Sequence, residues 1–133
     1  MNVMIVAGCV LSAYVLIVLA TEALVWRVQP SMEGAITLVI QTGAGSHIQR
    51  TVYGHTYDGK LYVSSNHWFR SWYRAALANP KIAVGDESQT QPYTVHAVLG
   101  EEHARVLQSY DMGFFLRLLC GFAPRKLLRL EPA

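Results

Sequence analysis

No charged side chain occurs before Glu22, and the residues ahead of it are almost all apolar. Residues 3–20 read VMIVAGCVLSAYVLIVLA, interrupted only by Gly8, Ser12 and the amphipathic Tyr14. A helix rises about 1.5 Å per residue, so some 20 residues cross a hydrocarbon core roughly 30 Å thick. A helix also satisfies its own backbone hydrogen bonds, as lipid requires of any spanning segment. The run predicts a transmembrane anchor over residues 1–28, one uninterrupted helix projecting from a soluble domain.

Three other readings fit the run less well. A cleaved signal peptide wants a charged leading region and a small-residue cleavage site. Here the leading region has no basic side chain, and no A-x-A site precedes Glu22. Val6-Ala7-Gly8-Cys9 resembles a bacterial lipoprotein box, but such a box follows its hydrophobic run, whereas most of this run follows Cys9. A buried core helix would show a polar face, and this one shows none. Lys and Arg favour the cytoplasmic flank of a span. Arg27 and Arg50 follow the run and no basic side chain precedes it, so a single-pass membrane protein with a cytoplasmic domain is expected. Cys9 lies within the run and Cys120 far beyond it, which argues against a structural disulfide and agrees with a reducing compartment.

Residues 29–35 form a polar linker in which Pro30 and Gly34 discourage a continuous helix. Residues 36–133 are enough for one domain with one core. A net charge of +2, with no basic run and no zinc spacing, gives no reason to expect nucleic acid as a partner. After the linker the periodicity becomes that of strands. Residues 36–42 are β-branched and apolar, residues 49–57 are rich in Thr, Val and Tyr, and residues 60–65 close a hairpin with the second run. Asp58-Gly59 is the pair that a tight hairpin turn prefers. Residues 71–78 read as a helix stopped by Asn79-Pro80. Strands follow at 81–84 and 93–99, then a helix from Gly100 to about Tyr110 with acidic residues at its start. Residues 112–122 are apolar apart from Arg117, and 126–130 form a last strand. The expected fold class is α+β: a transmembrane helix followed by a small antiparallel barrel of five or six strands.

Residues 42–50, TGAGSHIQR, can aim backbone N–H groups at an anion while Arg50 supplies a cation. A Gly-rich hairpin turn beside a surface Arg explains the same residues without a ligand. His67, Trp68, Phe69, Trp72 and Tyr73 crowd together and could wall a flat ligand, plug the barrel end or lie at a membrane interface. The five histidines show no compact metal spacing; His55 and His67 sit on neighbouring strands or their ends and could meet. No catalytic residue is identified, so any redox chemistry would belong to a bound cofactor.

Taken in order, residues 42–50, Tyr57-Asp58-Gly59, WYRAALANPKIAV at 72–84 and PRKLLRLEP at 124–132 resemble the deazaflavin-dependent nitroreductase family. That family belongs to the split β-barrel flavin-binding proteins. The resemblance covers residues 36–132, and WYRAALANPKIAV is its most specific part. It implies a split barrel, often dimeric, that binds coenzyme F-420 or FMN and passes hydride to quinone-like or nitro acceptors. By position it implies that Thr42, Gly43, Gly45, Ser46 and Arg50 face the cofactor phosphate. It places Ser64, Ser65 and Asn66 along the ring edge, and Trp72 and Tyr73 in packing. Two departures stand out. Gly45 and His47 replace a cation and a glycine common in the family's turn, and Asn66-His67-Trp68-Phe69-Arg70 is bulkier than its usual small residues. Arg70 could restore the missing phosphate contact. Expected partners are membrane lipid, a quinone substrate, and either a second copy or a larger membrane complex. In such a complex, a barrel without cofactor would serve as a non-catalytic accessory subunit.

Overall fold

Helix α1 (Val3–Val28) takes up the whole apolar run, with Arg27 in its last turn. The computed structural model describes residues 2–28, 34–43, 45–68, 71–85, 89–110 and 112–133. Linker residues 29–33 and the site candidate Arg70 lie outside the described residues. Six strands follow α1: β1 (Ala35–Gly43), β2 (Ser46–Tyr57), β3 (Lys60–Ser65), β4 (Lys81–Gly85), β5 (Thr90–Ala97) and β6 (Lys126–Pro132). Helix α2 (Ser71–Ala78) joins β3 to β4, while α3 (Gly100–Ser109) and α4 (Phe114–Leu119) lie between β5 and β6.

The strands close into a barrel in the order β1-β2-β3-β6-β5-β4, and every neighbouring pair is antiparallel. The α+β class and antiparallel barrel expected from the sequence are those observed. At the β2–β3 turn, Asp58 and Gly59 both take positive φ, 51° and 72°. That is the backbone a two-residue hairpin loop requires, and the reason for an Asp-Gly pair there. β2 begins at Ser46, earlier than the periodicity suggests, because Gly43 pairs directly with Ser46. β5 ends at Ala97 rather than running on to Leu99.

Alternation along the strands sends Leu38, Ile40, Val52, Val63, Val95 and Leu130 into one core, which α2 plugs with Trp72 and Ala76. Asn79 ends α2 by donating both its backbone N–H and its side-chain N–H to the Ala75 carbonyl. Tyr62 and Leu127 face outward from β3 and β6, where Val106 of α3 and the adjacent Val98 cover them. A polar network closes the edge of that layer. The Tyr62 hydroxyl donates to Glu102 at 2.8 Å, and Arg129 donates to both Glu102 oxygens at 2.6 and 2.8 Å and to Glu131 at 2.8 Å. It ties the start of α3 to the barrel wall through charge-assisted bonds.

β2 pairs with β3 only from Gly54 to Tyr57, and its earlier residues pair with β1 alone. The barrel wall is therefore split between the first part of β2 and the residues that follow β3. α1 packs beside this opening, which corrects one expectation. The helix does not simply project from the domain. Tyr14, Val18 and Glu22 form an i, i+4 stripe. Along it, the Tyr14 hydroxyl donates to the Leu118 carbonyl at 2.9 Å, and Val18 and Glu22 are only 9% and 3% exposed.

The Tyr62–Glu102–Arg129 network should give stability a marked pH dependence. Burial pushes the Glu102 carboxyl up, but hydrogen bonds from Tyr62 and Arg129 outweigh it and hold the group below its ordinary 4.5. A depressed carboxyl pKa stabilises the fold above the unfolded value, and that contribution fades as pH falls toward the folded one. Tyr62 is pushed up to about 12, by burial first and by Glu102 second. Its contribution is present below its ordinary 10.0 and fades as pH rises toward about 12. Glu102→Gln should cost about 1.5–3 kcal/mol at pH 7. It should also flatten the loss of stability below pH 4.5 seen in urea denaturation of the detergent-solubilised protein. Acid curves that run parallel for both proteins would show that another group governs it.

Candidate functional site

The residues assigned by resemblance separate into two places. Thr42, Gly43, Gly45 and Ser46 form the exposed β1–β2 turn, where the Thr42 hydroxyl donates to Ser46 at 3.1 Å. Gly45 takes φ 79° with open space where a Cβ would lie. Arg50 is four residues along β2 from Ser46, roughly 13 Å at strand rise. It lies instead at the split, with Ser64, Ser65, Asn66, His67, Trp72 and Tyr110 around a cavity of about 40 Å³.

The polar chemistry of the split is only partly satisfied. Asn66 donates to Ser64 at 3.0 Å and accepts from Arg125 Nε at 3.3 Å. Arg50 Nε and Ser65 Oγ are buried with no hydrogen-bond partner, a condition most buried polar groups avoid. The Arg50 guanidinium stacks on the Trp26 ring of α1, 3.6 Å from its centroid. Burial pulls the Arg50 pKa down from its ordinary value. His67 is also pulled down, mainly by burial and further by Arg50, against the attraction of Glu22.

Glu22 was missed as a site residue because it read only as the end of the apolar run. Its Oε1 accepts the Trp68 backbone N–H at 3.1 Å and lies 3.8 Å from His67 Nδ1. Trp68 Nε1 donates to the Gly121 carbonyl at 3.1 Å. Gly121 has φ 68°, and a Cβ there would meet both Trp68 and Val18 at 3.0 Å, so the close approach needs glycine. The i, i+4 spacing from Tyr14 through Val18 and Glu22 to Trp26 was the available signal.

His55 and His67 do not converge. His55 pairs with Ser109 at 3.2 Å and stacks on Tyr110 at 4.8 Å, whereas His67 faces Glu22. Among the described residues no three His, Cys, Asp or Glu side chains are placed to hold a metal. The aromatic cluster is divided too. Trp72 is core, with Tyr73 edge-on to it at 6.2 Å, while Trp68 serves the α1 contact.

The donors at the split suit a small anion or a water, but the space does not suit a flavin. A cavity near 40 Å³ holds roughly one water, whereas ligand sites run to about 300–1,000 Å³. With Trp26 seated on Arg50, a tricyclic cofactor does not fit. A larger open groove of about 720 Å³ lies between α3 and the α4–β6 segment, lined by His103, Arg117, Phe122 and Lys126 among others. It contains none of the residues assigned by resemblance.

No protein-family model and no curated protein matches the chain. Solved structures do match its fold. HutZ, the heme storage protein from Vibrio cholerae, aligns at 16% identity over 77% of this chain and 84% of its own, with a TM-score of 0.53. An F-420-H2 dependent reductase, FDR-A, aligns at 18% identity over 74% and 95%, with a TM-score of 0.52. A FAD-binding protein from Mesorhizobium loti aligns at 12% identity over 83% and 87%, also at 0.52. At these identities the likeness is one of fold.

Trp26→Ala should remove a partly exposed cation–π contact worth about 0.5–1 kcal/mol. Urea denaturation should show a loss of that size with the barrel's circular dichroism unchanged. No loss would mean that Trp26 does not rest on Arg50 in solution.

Proposed function

We propose that this chain is a membrane-anchored oxidoreductase of the flavin or deazaflavin split-barrel type, serving a quinone-like or nitro acceptor. One observation carries the reading. Arg50 Nε and Ser65 Oγ are buried, unsatisfied and together at the split of a fold shared with an F-420-H2 dependent reductase and a FAD-binding protein. The 40 Å³ space sets a condition on it: cofactor entry requires Trp26 to leave Arg50. The same closure favours a second reading, in which the barrel holds no cofactor and is an accessory subunit of a membrane complex.

Membrane attachment rests on α1, which is long and apolar enough to span and has little of its surface buried. α4 supports it. Phe114, Phe115, Leu116 and Phe122 are 73%, 71%, 44% and 43% exposed, beside the middle of α1. Such a patch suits the headgroup–acyl boundary, with Arg117 reaching outward. Arg27, the cation next to the run, supports a cytoplasmic side for the domain.

Titrating FMN and coenzyme F-420 into detergent-solubilised protein tests the reading. Saturable binding of either is expected, tighter in Trp26→Ala and weaker in Arg50→Ala by about 1.5–3 kcal/mol. No binding of either by wild type or Trp26→Ala would transfer the assignment to the accessory subunit. Alkaline carbonate washing should leave the intact protein in the membrane; release without detergent would contradict the span.

A further inference from the structure

We infer that the crevice between α1 and the barrel binds an aromatic alcohol dissolved in the bilayer, with Glu22 accepting its hydroxyl. The crevice has a volume of about 280 Å³, and its walls are Tyr14, Val15, Val18 and Leu19 on α1 and Trp68 and Gly121 opposite. Glu22 is the last residue that α1 contributes to its lining. The volume is near the lower end of ligand sites, enough for one or two fused rings. It is separate from the Arg50–Ser65 split, with which it shares no lining residue.

Glu22 makes this more than an apolar gap. The residue is 3% exposed, its Oε1 holds the Trp68 N–H, and its Oε2 has no hydrogen-bond partner. Oε2 is sealed in this structure, so a ligand hydroxyl reaches it through a small shift of the Glu22 side chain, and the donor then stabilises the buried oxygen. The Tyr14 hydroxyl does not do so, because it is committed to the Leu118 carbonyl at 2.9 Å. A ligand that satisfies the site therefore brings its own donor on an otherwise apolar body. The Tyr14 and Trp68 rings favour a flat, aromatic body over a branched one.

Access is from lipid, and this step rests on the membrane reading of α1. Tyr14 to Leu19 lie within the charge-free run, roughly 5–12 Å along the helix from Glu22 toward the bilayer centre. Within that run, the crevice opens to acyl chains just inside the headgroup boundary, beside the exposed phenylalanines of α4. Hydroquinones, the reduced form of a quinone-like acceptor, belong to the class it would accept.

The test uses the full chain in phosphatidylcholine nanodiscs, with empty nanodiscs subtracted, and two probes. 1-Naphthol has the donor; 1-methoxynaphthalene has nearly the same rings without it. Wild type should bind 1-naphthol saturably and at least tenfold more tightly than the ether. Glu22→Leu should reduce that preference to within about twofold. Leu19→Trp, which fills the crevice from a half-exposed helix position, should abolish binding of both probes while the barrel's circular dichroism is unchanged. Equal binding of the two probes by wild type, or 1-naphthol binding unaffected by Leu19→Trp, would overturn the site. Carbonate washing separates the two claims. Retention in the membrane without selective binding overturns the site alone. Selective binding by a protein that washes free overturns the membrane reading and leaves the site.

Discussion

One carboxylate holds the two halves of this molecule together. Glu22 lies on a mostly apolar helix, is almost fully buried, and accepts the backbone N–H of Trp68 just after β3. Burying a carboxylate is unfavourable unless it is hydrogen-bonded, so this position is specified by the contact it makes. Around it, Tyr14, Val18 and Gly121 bring α1 and α4 into contact. The helix suited to the membrane is thereby packed onto the barrel instead of being linked to it only through residues 29–33.

The packing reaches the site. α1 continues past Glu22 to Trp26, whose ring lies flat on the Arg50 guanidinium. Arg50 is the cation the family pattern would give to a phosphate, and here an aromatic ring occupies its face. His67, Trp72 and Tyr110 complete the closure around about 40 Å³. The donors needed for an anion remain, two of them unsatisfied, while the room for a ring system depends on α1. Access to the split and the seating of α1 are thus one mechanical question.

Much of the fold was legible because each element carries a local reason. The charge-free run gave α1, Asp58-Gly59 gave the turn, and β-branched runs gave the strands. The Tyr62–Glu102–Arg129 network was not legible, since its members are 27 to 67 residues apart and meet only when β3, α3 and β6 pack. Residues 112–122 read as one apolar stretch. Gly113 at φ 73° and Gly121 at φ 68° instead bracket the short helix α4 and turn its phenylalanines outward. The site was only half legible. Resemblance grouped Ser46 with Arg50 at one phosphate, whereas the rise of β2 puts them roughly 13 Å apart. Trp26 and Glu22 were hidden by the apolar residues around them, which made α1 read as an anchor with no second role.

The seating of α1 on the barrel is most directly tested by a distance measurement across it. Nitroxide labels at Leu16 on the exposed side of α1 and at Asp58 on the hairpin tip, with Cys9 and Cys120 replaced, report it by pulsed electron resonance in nanodiscs. A docked helix predicts a single narrow distance distribution that broadens when Glu22→Leu is introduced. A broad distribution in the protein with Glu22 intact would show a helix tethered only by its linker, and would contradict the account.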